Sequence, residues 1–476
     1  MNHKIVTYTI GKTVLMEAGF LLIPTLVAII YREPTAPFLG SIAIAAIAGI
    51  VLMRLGESTS QKLYTKDGFM IVTFSWIALS IIGALPFYLS KTIPLYTDAF
   101  FEAVSGFTTT GASVLQDVEI VSKSILFWRS LTQWLGGMGV LVFILAVAER
   151  NPNRSINILK AEMAGARVNK IMPKAKTTAS ILYGIYIGLT LMEIAFLLAG
   201  GMSVYDSIVH SLGTAATGGF GIYNDSIASF SPFIKVVISV FMVLFAINFG
   251  TFFLAITGRW RAVLNSVELR WFLAIVGIAT LVILVANQNV YSSFSENLRE
   301  SFFQVASVSS TTAYSTVDFT RWPEISRTIL LILMFIGGCE GSTACGFKVY
   351  RLMIVSHSIG NEMKRALHPR MISPVRVGGK PVSAETVSGV TAYLGMYLLV
   401  IAFGALVISF EPMGLETNFT AVVACLNNIG PGFAEVGPMA NYAAYSSLSK
   451  MVLALIMLMG RLEIYPVLLV FIRGRT

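Results

Sequence analysis

The residues with a chemical task in this chain are threonines and glycines rather than acids, cysteines or histidines. They recur in four segments: Asp98-AFFEAVSGFTTTG-Ala112, Asp206-SIVHSLGTAATGG-Phe220, Glu300-SFFQVASVSSTTA-Tyr314 and Asn418-FTAVVACLNNIG-Pro431. Each starts with an acid or amide, runs on as an amphipathic stretch and ends in a polar kink. With Gly111, Gly218, Ala313 and Gly430 taken as equivalent, the kinks lie 107, 95 and 117 residues apart. An alkali cation that sheds its water needs oxygen ligands, and backbone carbonyls provide them without a fixed counter-charge, so the ion can leave again. Glycine turns its carbonyl toward an axis because positive φ costs it little. The candidate coordinating residues are Thr109, Thr110, Gly111, Thr217, Gly218, Thr311, Thr312, Ala313, Asn428, Ile429 and Gly430. Four non-identical copies in one chain are what a single-chain pore with fourfold pseudosymmetry requires. Asp98, Glu102, Asp206, Asp225, Asp318 and Glu435 lie near the kinks, where acids would concentrate cations.

The elements that must position these kinks are membrane helices. The 476 residues are 55% hydrophobic and only 12% charged, against roughly 25% charged in a soluble domain. Apolar runs near 13–31, 37–53, 68–90, 124–148, 179–200, 231–257, 268–287, 325–355, 383–409 and 446–472 are each about long enough to span a bilayer. The first has no small-residue cleavage site and reads as a retained helix. The net charge of +9 is concentrated in alternate connections, including Arg150, Arg154, Lys160, Arg167, Lys170, Lys174 and Lys176, and Lys364, Arg365, Arg370, Arg376 and Lys380. That is the positive-inside pattern. It puts both termini in the cytoplasm and makes the basic excess a matter of topology, not of nucleic-acid binding. The four kinked segments then share the opposite side. Their helical parts are too short to cross, so they re-enter, and irregular backbone at that depth must be buried or line water.

The predicted fold is therefore an all-α polytopic membrane protein. Four repeats of outer helix, pore helix, filter loop and inner helix surround one pore, with two extra N-terminal transmembrane helices. The divisions fall at 1–67, 68–150, 151–260, 261–382 and 383–476. Inside the eighth run, Gly337, Gly338, Glu340, Gly341 and Ser342 should break the helix just below the filter and narrow the pore, with Lys348 at the lower end of the loop. Arg461 lies within the last apolar run, where a charge needs a partner. Glu340 or the loop carbonyls are the candidates. Glu463 is a poorer one, because residues two apart do not share a helix face. Cys339, Cys345 and Cys425 do not suggest a disulfide framework, and His210 reads as a packed residue, with no second His or Cys at metal spacing.

Through FTTTGAS (107–113), WRSLTQWLGGMGV (128–140), ATGGFG (216–221), TTAYSTVDF (311–319), GGCEGSTACGFK (337–348) and LNNIGPG (426–432), the chain resembles the Trk/Ktr/HKT superfamily of potassium transporters, in its TrkH/TrkG type. The resemblance covers nearly the whole chain. It implies potassium as the transported ion, bound in the filter without an organic cofactor. It also implies an intramembrane gating loop, a homodimer among membrane lipid in the bacterial inner membrane, and a cytoplasmic nucleotide-binding TrkA- or KtrA-type subunit. One departure is Ala313, where the family ordinarily has glycine. Its methyl disfavours positive φ, so the third carbonyl is expected to point differently and blur potassium-over-sodium discrimination. A symporter coupling potassium to sodium or protons is the alternative within the same fold. No HExxH or paired GxSxG and His pattern supports an intramembrane enzyme.

Overall fold

The computed structural model describes residues 2–57, 65–139, 175–370 and 374–471. Among them, six helices are long and apolar enough to cross a membrane without a sharp bend: His3–Tyr31, Ala36–Leu55, Lys66–Leu89, Ala179–Ala199, Val267–Ala286 and Ala384–Ile408. These are the two N-terminal helices and the four outer helices. A short hairpin, Arg376–Val377 with Lys380–Pro381, interrupts the helical pattern before the fourth outer helix. The basic segment 150–174 and the end of the run 124–148 lie outside the described residues.

Behind each outer helix comes a short pore helix: Tyr96–Phe107, Val204–Ala216, Phe294–Ser309 and Leu415–Leu426. The inner helices follow as Lys123–Gly137, Pro232–Phe245, Glu324–Ile336 and Ser447–Arg461. They are only 13–15 residues long, about 20 Å at 1.5 Å per residue and short of a ~30 Å core. The expected break in the third inner helix is present, and it is not alone. The second bends by 95° between Phe245 and Phe249, and the fourth stops at Arg461 before resuming at Tyr465. The third has the longest interruption, from Gly337 to Lys348.

Small residues let the inner helices press against the filters. A Cβ placed on Gly136 would lie 1.8 Å from Phe107 O, and one on Gly460 would lie 2.0 Å from Leu426 O. Each of these helices therefore crosses the end of its own pore helix with backbone against backbone. Serine caps start several of the helices, with Ser203 Oγ accepting from Asp206 N and Ser446 Oγ from Ser449 N.

Charge ties the repeats into a ring. A basic residue four positions after the N-cap of an inner helix reaches an acid on the next pore helix. Lys235 is 3.6 Å from Glu300, Arg327 meets Glu416, and Lys450 Nζ lies 3.0 Å from Asp98. In the first inner helix the corresponding residue is Leu126, and Asp206 accepts from Tyr223 Oη instead. That seam is closed lower down. Buried Arg129 pairs with Glu102 at 2.6 Å, donates to Gly221 O at 2.9 Å and covers the Phe220 ring. Asp98 and Glu102 are consequently neutralised structural acids, not the free cation-concentrating charges expected from the sequence.

Removing one member of a buried pair strands the other, at a cost of roughly 3 kcal/mol. Lys450→Met should lower the thermal midpoint of the detergent-solubilised protein, and adding Asp98→Asn should recover much of the loss. A single variant as stable as the parent would remove the ring of pairs as a stabilising feature.

Candidate functional site

All four pore helices end in the same way. The residue after the last full turn donates to the carbonyl three back, and the next donates to the carbonyl five back. The pairs are Thr109 N to Gly106 O and Thr110 N to Ser105 O; Thr217 N to Thr214 O and Gly218 N to Gly213 O; Thr311 N to Val308 O and Thr312 N to Ser307 O; and Asn428 N to Cys425 O and Ile429 N to Ala424 O. This is the Schellman termination, which needs a left-handed residue and usually takes glycine. Here that residue is Thr109 (φ 56°), Thr217 (54°), Thr311 (59°) or Asn428 (51°). A second left-handed residue follows two positions later: Gly111 (82°), Gly219 (73°), Ala313 (75°) or Gly430 (94°).

That pattern corrects the register read from sequence. The equivalent of Gly111, Ala313 and Gly430 is Gly219, not Gly218, so the kinks fall at 111, 219, 313 and 430. Gly218 matches the central residues Thr110, Thr312 and Ile429. The ATGGF segment offers two adjacent glycines, and periodicity alone does not choose between them. Counting from the acids does, because Asp98, Asp206 and Glu300 each precede the second left-handed residue by 13 positions. Ala313 keeps a glycine-like φ, so its carbonyl is not redirected as expected. What differs is the methyl itself, which stands 3.0 Å from where a Cβ on Gly219 would be.

The four loops close on one another in cyclic order. A Cβ on Gly111 would sit 2.3 Å from Gly218 O, one on Gly219 would sit 1.9 Å from Thr312 O, and one on Gly430 would sit 2.5 Å from Thr110 O. Glycine at these three positions therefore meets both a dihedral and a steric demand. Polar struts hold the central residues. Thr108 and Thr110 hydroxyls lie 2.7 Å apart, as do those of Ser310 and Thr312, and Asn428 Nδ2 bridges Thr110 Oγ1 and Met457 O. The helix C-termini aim their partial negative charge at this ring.

A vestibule opens above the ring, lined by Gly111, Gly219, Ala313 and Gly430 at its base and by Gln116, Asn224 and Asn441 higher up. At its rim the Asn224 amide holds the Asp117 carboxyl below its usual range, keeping it ionised in ordinary conditions. A second cavity lies on the other side of the ring, lined by Trp76, Glu340, Gly341, Ser342, Lys348 and Arg461 among others. Residues of the Gly337–Lys348 loop make up much of its lining. Gly337, Gly341, Gly346 and Lys348 have positive φ, and the freed backbone groups find partners in the bend of the second inner helix. Cys339 N donates to Ala246 O, Phe249 N to Gly341 O, and Cys345 N reaches the filter hydroxyl Thr311 Oγ1 at 2.9 Å. Gly338 packs against Ala246.

Arg461 stands at the junction of loop and filter. Its guanidinium donates to Thr343 O at 3.1 Å, Gly136 O at 2.5 Å and Gly137 O, and lies 3.2 Å from Cys345 Sγ and 3.4 Å from Thr109 Oγ1. Carbonyls, not Glu340, therefore compensate this charge. Glu340 donates its backbone N–H to Glu268 Oε1, Glu463 pairs with Arg351, and Lys348 Nζ donates to Ala344 O. His210 is packed, as expected, with Nδ1 2.8 Å from Asp206 O and rings of Tyr223, Phe230 and Tyr314 around it. Among the described residues no His, Cys, Asp and Glu cluster could hold a metal in the manner of a resident cofactor, and all three cysteines are free and buried.

The TrkH family profile, described as a cation transport protein, matches residues 36–474. The chain is 35% identical to the Trk system potassium uptake protein TrkH of Escherichia coli K12, covering 99% of both chains. It is 32% identical to that strain's TrkG, covering 98% of both. The crystal structure of the potassium transporter TrkH from Vibrio parahaemolyticus superposes with a TM-score of 0.89 at 31% identity, covering 99% of each chain.

Two substitutions probe the revised register. Gly219→Ala would press a methyl onto Thr312 O and should abolish alkali-cation flux into proteoliposomes, whereas Ala313→Gly should raise the thermal midpoint by relieving roughly 1–2 kcal/mol of left-handed strain. Full flux in Gly219→Ala would refute the assignment.

Proposed function

Because this chain belongs to the TrkH family of cation transport proteins, we propose that it takes up potassium across the bacterial inner membrane through one central pore. The observation that carries this reading is the fourfold pair of left-handed residues at the ends of four buried helices. It gives carbonyl and hydroxyl oxygens from residues 109–111, 217–219, 311–313 and 428–430, with no carboxylate in the ring. An oxygen cage of that kind replaces hydration water while binding weakly enough to release the ion.

The Gly337–Lys348 loop and Arg461 act as the gate, with Gly337, Gly338, Glu340, Gly341, Ser342 and Lys348 shaping the constriction. A unit charge about 8 Å from a cation in an effective dielectric of ~20 repels it by roughly 2 kcal/mol. Arg461, within hydrogen-bonding range of Thr109, holds such a charge at the inner mouth of the filter. Release of the loop requires an outside input. That input is a cytoplasmic nucleotide-binding subunit of the TrkA or KtrA kind, docked on the basic cytoplasmic connections of a homodimer. In this arrangement both termini are cytoplasmic, and the five divisions of the chain are the N-terminal pair and the four pore repeats. Ala313 narrows one quadrant of the filter with its methyl, so potassium is preferred over sodium less sharply than in an all-glycine ring.

Expression should rescue a potassium-uptake-deficient bacterium at low external potassium, and failure of rescue by a membrane-inserted, folded protein would contradict the assignment. Arg461→Ala should raise conduction about thirtyfold, as expected from ~2 kcal/mol of removed repulsion, with ion preference unchanged. An unaltered rate would exclude a gating role. In mixed potassium and sodium, Ala313→Gly should shift the reversal potential toward stricter potassium preference, and an unmoved potential would acquit the methyl.

A further inference from the structure

Filter 2 carries the least side-chain material of the four. Its central and outer residues are Gly218 and Gly219, two consecutive residues with maximal backbone freedom. Repeats 1 and 3 fix the central residue with a hydroxyl pair of their own, Thr108 with Thr110 and Ser310 with Thr312. In repeat 2 the corresponding positions are Ala216 and Gly218, which have no hydroxyl to offer. The missing strut comes from another repeat. Gln133, on the first inner helix and fully buried, donates Nε2 to Gly218 O at 2.6 Å and accepts from Phe220 N at Oε1 at 3.1 Å. One side-chain amide thus spans Gly219 from both sides. On the far side, Tyr314 Oη from filter 3 donates to Phe220 O at 3.2 Å.

We infer that Gln133 is a positioning residue for ion preference, which fixes the carbonyl of Gly218 and the conformation of Gly219 from outside their own repeat. This rests on the reading of residues 217–219 as part of a potassium filter. The fit is specific to glutamine. A Cβ on Gly218 would lie 2.5 Å from Gln133 Cδ, so the central glycine and the glutamine occupy one space. The amide satisfies a donor and an acceptor at once, a dual role that methionine, though of similar length, lacks. Without it, two buried backbone groups lose their partner and the Gly-Gly pair is free to reorient, which changes the oxygen cage without adding or removing a charge. Gly218 O also packs against Gly111, so the displacement passes to filter 1.

The test uses the full-length protein in proteoliposomes, with reversal potentials in opposed potassium and sodium chloride. Gln133→Met should raise the sodium-to-potassium permeability ratio about fivefold or more, the weight of one ordinary hydrogen bond, while cation conduction persists. Gln133→Glu keeps the side-chain length and an acceptor for Phe220 N but has no obligatory donor for Gly218 O. It should shift the ratio in the same direction, and it serves if the methionine variant does not fold. A wild-type ratio in either folded variant overturns the inference, since a purely structural glutamine would lower yield or thermal midpoint without moving ion preference. Gly219→Ala separates the two levels. If it leaves flux and ratio untouched, the filter reading itself falls, whereas a damaged Gly219→Ala with an unmoved Gln133→Met ratio removes only the role of Gln133.

Discussion

Eight left-handed residues, two at the end of each pore helix, set the terms for everything around them. Five of the eight are not glycine: Thr109, Thr217, Thr311, Asn428 and Ala313. Such a residue costs about 1–2 kcal/mol, and β-branched threonine is among the least tolerant. The combined strain is of order 5–10 kcal/mol, as large as the whole net stability of an ordinary domain. It persists only because the surroundings over-determine it. The Schellman hydrogen bonds, the hydroxyl struts and the inner helices pressed on through Gly136 and Gly460 supply that constraint.

The same demand explains why the inner helices are short. A helix that crosses the end of a pore helix at backbone contact cannot continue straight through the axis without closing it. Each inner helix therefore stops or bends below the filter, and its freed carbonyls become partners for something else. Gly136 O and Gly137 O receive Arg461, and Ala246 O and Phe245 O receive the loop of the third repeat. Filter, the Gly337–Lys348 loop and Arg461 are one hydrogen-bonded unit, so a movement of the loop is felt at Thr311 and Thr109.

The repeats were legible in the sequence because the physics of a carbonyl filter leaves a compositional trace. Glycine and threonine clusters at similar spacing between apolar runs have few other uses at membrane depth. The broken third inner helix was legible for the same reason, through its glycines. The register of filter 2 was not, since Gly218 and Gly219 satisfy the same pattern and only the dihedrals separate them. Breaks at Ala246–Asn248 and Leu462–Ile464 carry no glycine run, because tertiary contact rather than local preference imposes them. Lys450 with Asp98, Arg129 with Gly221 and Gln133 with Gly218 join residues 85 to 352 positions apart, beyond the reach of any local reading. For that reason Asp98 and Glu102, which looked like part of a cation funnel, proved to be tied into seams between repeats.

The central claim is that these four loops together coordinate a dehydrated alkali cation. Crystals soaked in rubidium or thallium salts would test it through anomalous scattering. A peak on the pseudosymmetry axis, encircled by residues 109–111, 217–219, 311–313 and 428–430, is the predicted result. Anomalous density confined to the carboxylates of the outer rim, such as Asp117 and Glu435, with none inside the ring, would contradict it.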